Sequence, residues 1–218
     1  MMNTFDTLRR YSGFMLLSMT IGFTSCNDNN DNVTPAPAPP AENEGEVITD
    51  LKLIFTNTSN SNDSVIAKAQ DPDGEGVLEL MVLDSINLDV NKTYALSLEI
   101  MNNLESPGKD LGKEIAEEDY EHQFFFGFST NAFKSPTGNG NIDNGTDPVN
   151  YNDEDSDVQD GSGNPVGLMT TWTTASSTLS NGTFNLRLQH QPDGIKSSTS
   201  SATDGDTDID INFVLNIN

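Results

Sequence analysis

The chain of 218 residues is strongly acidic: 34 Asp and Glu residues against 10 Lys and Arg residues give a formal net charge of −24. This balance excludes nucleic acid as a partner, because no basic surface is present to neutralise phosphates. Cations are attracted to such a chain, although solubility alone also accounts for the charge without any ligand.

The N-terminus has the features of a secretory signal peptide. Arg9 and Arg10 precede the apolar run YSGFMLLSMTIGF (residues 11–23), and small residues follow it. An apolar run of this length is too short to span a membrane as a helix. We therefore predict that residues 1–25 form a signal peptide, which is removed from the mature protein.

Cys26, the only cysteine, comes directly after this segment. Thr24 and Ser25 before it resemble the small residues of the bacterial lipoprotein box. The resemblance implies cleavage before Cys26, acylation of the cysteine with chains such as palmitate, and attachment of the protein to a membrane through lipid. The alternative is a buried free thiol behind an uncleaved helix.

Residues 26–46 form the predicted tether between the lipid and the folded domain. They are rich in proline, asparagine and acidic residues and have almost no large apolar side chains. Burial therefore cannot offset the entropy of ordering them, and we predict a disordered, extended tether. Asp28 and Asp31 resemble the acidic signal that sends lipoproteins of the Bacteroidota to the cell surface. This resemblance implies an outer-membrane location and favours the cell surface over the periplasmic face.

Residues 47–218 have the length of one domain and the pattern of a β protein. Apolar and polar side chains alternate in most segments, most clearly in TDIDINFVLNIN (residues 207–218), and DLGKEIAEEDYE (residues 110–121) is the one helical candidate. We predict an all-β fold, an antiparallel β-sandwich of about seven to nine strands with at most one short helix. The predicted strands cover residues 47–56, 64–70, 77–88, 93–101, 121–128, 167–174, 184–191 and 207–218.

The segment DPDGEG begins like a calcium-binding loop. Asp71, Asp73 and Glu75 offer oxygen ligands at alternate positions, and a glycine stands at the sixth. Val82 occupies the twelfth position, where a bidentate glutamate closes an EF-hand, so an EF-hand is excluded. A hairpin turn shaped by Pro72 is the alternative to a calcium site.

A second acidic segment lies in a long loop at residues 134–165. Asp153, Asp155, Asp157 and Asp160 within it are close enough in sequence to converge on Ca²⁺. A long glycine-rich acidic loop that is simply solvated is the alternative. If both acidic loops lie at the same end of the sandwich, the calcium hypothesis gains support.

The two histidines lie at matching ends of two predicted strands. In EHQFFFGF (residues 121–128), His122 has the parity of the apolar phenylalanines; in FNLRLQHQ (residues 184–191), His190 has the parity of the apolar Phe and Leu residues. The start of one strand lies beside the end of its antiparallel neighbour. If the two strands are neighbours, both imidazoles reach the same rim of the core.

This geometry suggests a transition-metal site. Glu118, Glu121 and Asp193 are near the histidines in sequence, and neutral imidazole with carboxylate is a suitable ligand set for Zn²⁺ or Cu²⁺. The sequence has no HExxH spacing, and two histidines are fewer than most tight sites use. The alternative is that His122 and His190 only cap strand ends through hydrogen bonds.

Sequence motifs give no support for catalysis. The chain contains no GxSxG nucleophile motif, no Walker loop and no dinucleotide-binding fingerprint. Paired carboxylates are frequent in a chain this acidic, so their presence selects no reaction. We predict a protein that is not an enzyme.

The predicted mature chain resembles small lipoproteins of flavobacteria, within the Bacteroidota. The matching segments are EHQFFF (residues 121–126), the DPDGEG turn (residues 71–76) and QHQPDG (residues 189–194). Such proteins look like accessory lipoproteins of TonB-dependent outer-membrane receptors. The resemblance implies a receptor or another surface protein as partner, and it transfers no catalytic residue.

Two hypotheses of function follow. The first is a membrane-anchored lipoprotein that binds a metal ion or a small nutrient for an outer-membrane receptor, with His122 and His190 in one site. The second is a structural or adhesive surface module without a small-molecule ligand. The second hypothesis predicts exposed aromatic side chains, and a solvent-facing Phe125 would support it.

We expect Cys26→Ser to abolish acylation, because the substitution removes the predicted acylation site. The measurement is labelling of cells with radioactive palmitate followed by isolation of the protein. Wild-type protein should carry label, and the variant should be unlabelled. A labelled variant would exclude Cys26 as the acylation site.

Overall fold

Alternation of apolar and polar residues determines most of the fold. A computed structural model describes residues 46–74, 80–154 and 163–218, all within one unit, Glu42–Asn218. Several predicted features lie outside the described residues: Cys26 with the signal peptide, most of the tether, and the calcium ligands Glu75, Asp155, Asp157 and Asp160. Within the described ranges, no helix is both long enough and apolar enough to cross a membrane.

Eleven strands and one helix make up the described part of the chain. The strands are β1 (Asp50–Asn57), β2 (Ser64–Gln70), β3 (Met81–Val82), β4 (Ile86–Leu88), β5 (Thr93–Asn102), β6 (Lys109–Asp110), β7 (His122–Phe128), β8 (Phe133–Ser135), β9 (Met169–Thr174), β10 (Leu179–His190) and β11 (Asp206–Ile217). Helix α1 (Leu111–Glu117) lies between β6 and β7.

The strands form two sheets. The first has seven strands in the order β3-β2-β1-β5-β9-β8, with β6 paired to β5 beside this path. The second has four strands in the order β4-β11-β10-β7. Neighbouring strands are antiparallel except for β4 and β11, which are parallel.

The predicted all-β sandwich with one short helix is confirmed. Two details differ from the prediction. The described strands exceed the predicted seven to nine, because four of them have only two or three residues and carry too few side chains for an alternation to be recognised. The β4–β11 pair is parallel, and the parity of side chains along a strand carries no information about direction.

The core lies between the two sheets and is centred on aromatic rings. Trp172 on β9 is fully buried, and its ring centroid lies 5.1 Å from that of Phe184 on β10 and 5.4 Å from that of Phe126 on β7. Phe184 also packs edge-on against Phe55 of the first sheet, at 5.7 Å. Phe184 therefore joins both layers.

Helix α1 is short and well capped. The side chain of Asp110 accepts a hydrogen bond from the backbone N–H of Lys113 at 3.1 Å, as expected at a helix N-cap. Leu111 and Ile115 are buried against the sandwich. At the other end the backbone N–H of Glu118 donates to the carbonyl of Glu114 at 2.9 Å, and the chain then turns into β7.

We expect Phe184→Ala to lower the free energy of unfolding by about 3–5 kcal/mol, because it leaves a cavity where both sheets meet. Urea denaturation followed by tryptophan fluorescence measures the loss. The control is Val214→Ala on the outer face of β11, where the side chain is 41% exposed and the expected loss is below about 1 kcal/mol. Equal losses in both variants would contradict this account of the core.

Candidate metal centre

The two histidines face each other across neighbouring strands. In the antiparallel register of β7 and β10, His122 is paired with His190. Their rings are stacked, with centroids 4.8 Å apart and planes inclined by 25°. Both side chains are buried. The prediction that parity would bring both imidazoles to one rim of the core is confirmed.

Close backbone contacts hold this rim in place. The N–H of Gln191, just after β10, donates to the carbonyl of Glu121, just before β7, at 2.6 Å. Gly205, which precedes β11, has φ of +82°, and a Cβ there would lie 2.0 Å from the carbonyl oxygen of His190. Only glycine therefore allows the chain to pass this close to the histidine.

The ring of His122 is held in a form suited to metal binding. Its Nδ1 lies 3.2 Å from the carbonyl oxygen of Glu118. A carbonyl oxygen only accepts, so Nδ1 carries the proton and the lone pair is on Nε2 of the neutral ring. The pKa of His122 is lowered to about 4, chiefly by burial and in part by the charges of His190 and Lys196, although the hydrogen bond to the Glu118 carbonyl raises it. The ring is neutral at pH 7, and metal-bound histidines commonly donate their other N–H to a carbonyl in this way.

Two carboxylates lie beside this ring. One oxygen of Glu46, one oxygen of Glu118 and one ring nitrogen of His122 all lie within 4.8 Å of one another. Desolvation raises the pKa of Glu46 and of Glu118, and the nearby carboxylate of Glu114 raises both further. Like charges held this closely are stabilised by a cation.

The ligand set fits a transition-metal ion. Bonds of about 2.0–2.2 Å place neighbouring ligand atoms roughly 3.3 Å apart, so the three atoms need to approach one another by at most about 1.5 Å. Side-chain torsions of the two half-buried glutamates accommodate a shift of this size. One imidazole and two carboxylates suit Zn²⁺, and an imidazole disfavours Ca²⁺, which takes oxygen ligands.

His190 belongs to the same rim but not to this trio. Its Nε2 lies 3.2 Å from Oε2 of Glu121. The lone pair of an imidazole lies in the plane of its ring. The lone pairs of His122 and His190 therefore lie in two nearly parallel planes, with the ring centroids 4.8 Å apart, which disfavours one ion bound by both rings. In this arrangement the two predicted ligands are neighbours, each with its own glutamate.

Asp208 adds an unsatisfied carboxylate to the rim. It is 4% exposed, and its Oδ2 has no hydrogen-bond partner among the described residues. The backbone N–H of Glu46 donates to this carboxylate, and His190 is close enough to lower its pKa. Desolvation has the larger effect and raises the pKa of Asp208 to about 6. The trio therefore has next to it a buried carboxylate oxygen without a partner in the described part of the chain, a group that calls for an explanation.

A buried lysine balances part of this negative charge. Lys196 is 3% exposed and donates from Nζ to the carbonyl of Asp119 at 2.5 Å. Lys109 pairs with Glu114 at 2.5 Å on the helix side of the cluster. Both cations are engaged by their own partners, so neither takes the place between Glu46 and His122.

Of the predicted ligands, His122 and Glu118 belong to the trio, and His190 and Glu121 contact each other at the same rim. Asp193 is exposed in the turn after β10, with φ of +56°. Glu46 and Asp208 had not been predicted. Glu46 is the last residue of the predicted tether, and Asp208 lies on β11 beside a buried isoleucine, so no local pattern distinguished either residue.

The described part of the first predicted calcium loop is a tight turn. Oδ1 of Asp71 accepts the backbone N–H groups of Asp73 and Gly74 at 3.1 and 3.0 Å. These bonds, and above all one with the side chain of Asp73, lower the pKa of Asp71. One carboxylate oxygen therefore closes the turn, which is the alternative that the sequence left open.

In the second acidic loop, Asp153 ties the loop to the first sheet. Its carboxylate accepts the backbone N–H groups of Gly167, Leu168 and Met169 at 3.0, 2.7 and 3.2 Å. Desolvation nevertheless raises its pKa. The carboxylate thus organises the entry into β9 through its own hydrogen bonds.

The described aspartates of the two acidic loops do not meet. Asp71 follows β2 and Asp153 contacts the start of β9, and β1 and β5 lie between these strands. Three strand spacings amount to roughly 14 Å. A single calcium ion therefore cannot bind both described aspartates, and the predicted calcium site stays a prediction.

Comparisons with known proteins identify no relative of the chain. No protein-family model matches the chain. No curated protein and no solved structure gives a significant match either. The class of protein that can be stated is therefore an all-β sandwich with one short helix, and its function has to be argued from the geometry of its sites.

The pKa values of His122 and Asp208 predict opposite effects of pH on stability in the metal-free protein. His122 titrates near 4 when folded and near 6.5 when unfolded, so it removes about 3 kcal/mol of stability as the pH falls from 6.5 to 4. Asp208 titrates near 6 when folded and near 3.8 when unfolded, so it removes about 3 kcal/mol as the pH rises through 6.

Urea denaturation of the two variants in chelator separates these effects. Relative to wild type, Asp208→Asn should gain stability as the pH rises from about 4 to 6.5, and His122→Gln should lose relative stability over the same range. If neither difference depends on pH, the two groups are not buried as described.

Proposed function

We propose that the chain is a non-catalytic, lipid-anchored outer-membrane protein that binds a divalent transition-metal ion for an outer-membrane receptor. The observation that carries the proposal is the trio of Glu46, Glu118 and His122, whose ligand atoms lie within 4.8 Å of one another. In this proposal one ring nitrogen of His122 and the two carboxylates are the protein ligands. Water completes the coordination, as at zinc sites with three protein ligands.

The electrostatics of the rim support a cation at this position. Glu46 and Glu118 both have a raised pKa in the absence of a counter-ion, and the buried Oδ2 of Asp208 lacks a partner among the described residues. A divalent ion would lower the free energy of all three carboxylates at once. The net charge of −24 would also draw cations toward the protein.

Protons compete with the metal ion for the carboxylate oxygens. Because metal binding requires ionised carboxylates and a neutral imidazole, protons are released when the ion binds. His122 is already neutral at pH 7, so the glutamates and Asp208 determine the cost. Binding should therefore weaken below about pH 6, where Asp208 is protonated.

The structural or adhesive alternative is less favoured. It requires exposed aromatic side chains, whereas Phe125 is 1% exposed. Tyr120, at 41%, is the one exposed aromatic ring in the described part of the chain. Delivery to a TonB-dependent receptor is the part of the proposal that rests on the resemblance to flavobacterial lipoproteins.

Isothermal titration of the full chain with Zn²⁺ and with Cu²⁺ tests the metal site. We expect one ion to bind per chain, and His122→Gln and Glu118→Gln to weaken its binding at least about tenfold, since each removes a ligand. Ca²⁺ should bind at least tenfold more weakly than the preferred transition metal, about 1.4 kcal/mol or more.

Glu117→Gln is the matched control for Glu118→Gln. Glu117 is on the same helix, one residue away, but its side chain is 64% exposed and pairs with Lys113. The control should bind the ion as wild type does. The proposal fails if the wild type binds neither Zn²⁺ nor Cu²⁺, or if Glu117→Gln and Glu118→Gln weaken binding equally.

A further inference from the structure

A polar cleft lies on the outer face of the second sheet, on strands shared with the metal centre but around a different set of side chains. Its volume is about 330 Å³, at the low end of the range of about 300–1,000 Å³ for small-molecule pockets. Ten residues line it: Gly127, Phe128, Asn139, Ile142, Asp143, Thr183, Asn185, Arg187, Asp210 and Asn212. None of them belongs to the metal trio.

The strand register builds the floor of the cleft. Asn185 on β10 is paired with Asn212 on β11 and with Gly127 on β7, and the next outward pair is Arg187 with Asp210. Apolar neighbours such as Leu186 point the other way, into the core. The outward face of these strands is therefore polar over two consecutive rows.

The loop after β8 forms one wall. It pairs with the edge of β7, where the N–H of Phe128 donates to the carbonyl of Asn139 at 2.8 Å and the N–H of Asn141 donates to that of Phe126 at 2.8 Å. Gly140 makes this approach possible: its φ is +91°, and a Cβ would lie 1.9 Å from the carbonyl oxygen of Phe126. The loop then brings Ile142 over Gly127.

Hydrogen bonds fix the floor in advance. Oδ2 of Asp210 accepts from Arg187 at 2.7 Å, and its Oδ1 accepts from Nδ2 of Asn185 at 3.0 Å. The other terminal nitrogen of Arg187 donates to the carbonyl of Ala202 at 3.0 Å. Because these groups are held by one another, little ordering remains to be done when a ligand binds.

The remaining polar groups of the cleft are available to a ligand. Within the described ranges, the side chains of Asn139, Asp143 and Asn212 have no hydrogen-bond partner, and neither does Oδ1 of Asn185. Amides both donate and accept, and a carboxylate accepts. This mixture matches hydroxyl groups, each of which donates one hydrogen bond and accepts others.

Charged ligands fit the cleft poorly. Both oxygens of Asp210 are engaged, which leaves Asp143 as the one free carboxylate among the described lining residues. Ca²⁺ takes about six to eight oxygen ligands, several of them charged. Each terminal nitrogen of Arg187 already donates one hydrogen bond, and its Nε is buried without a partner among the described residues. Because the guanidinium charge is paired with Asp210 at 2.7 Å, the described part of the cleft offers no unpaired cation to a phosphate or carboxylate group.

We infer that the cleft binds a neutral, polyhydroxylated ligand of one or two sugar rings. Asn139, Asn185 and Asn212 exchange hydrogen bonds with its hydroxyl groups, and Asp143 accepts from one more. Ile142 offers an apolar contact to the C–H face of the ring. The site is independent of the metal ion, because none of its side chains is a proposed metal ligand.

Saturation-transfer NMR on the full chain in chelator tests this inference. The probes are glucose, galactose, mannose, maltose and lactose, and we expect transfer to at least one of them. Asn212→Ala should weaken binding roughly three- to tenfold, the loss expected for a hydrogen bond or two. Asn212→Trp, at an exposed position, should abolish binding by filling the cleft.

The matched control is Asn87→Ala, an exposed amide on β4 of the same sheet outside the cleft. It should leave transfer unchanged. No transfer from wild type to any of the five sugars, or equal transfer in wild type and Asn212→Trp, would overturn the inference. Since chelator removes metal ions, failure of the metal proposal would not change either result.

Discussion

The pairing of β7 with β10 is the constraint on which the rest of the structure depends. This ladder runs from Phe128 opposite Phe184 to His122 opposite His190. Its inward side supplies the aromatic rings that join the two sheets, its outward side supplies part of the polar cleft, and its end supplies the imidazole rim. A shift of one residue would reverse every side chain and destroy all three features together.

The rim holds several carboxylates and an imidazole in buried or half-buried positions, an arrangement that does not by itself stabilise the fold. Three carboxylates are held at a raised pKa beside a neutral imidazole whose proton is fixed on Nδ1. Each of these conditions costs free energy in the absence of an ion. A metal ion would lower the free energy of the carboxylates and bind the unprotonated nitrogen of the imidazole, so the proposed binding event would offset several unfavourable terms.

Sequence periodicity predicted the fold and the histidine pair because both depend on side-chain parity. Leu186 and Leu188 alternate with polar residues, and His190 continues their parity. To place His122 beside His190, the prediction needed only the assumption that their two strands, β7 and β10, are antiparallel neighbours. Glu46 and Asp208 were missed because their role depends on proximity: Glu46 precedes the first strand, and its N–H reaches the carboxylate of Asp208 near the other end of the chain.

The sequence by itself determined the class of the fold, the segment that could form a short helix and the position of the histidines at strand ends, since these follow from local alternation and from turn residues. Only the tertiary structure determined which side chains of the rim and of the cleft contact one another. The stacking of His122 on His190, the approach of Glu46 and the loop over Gly127 all join residues distant in the chain. Such contacts are selected by the packing of the whole sandwich, because each segment alone leaves its partner undefined.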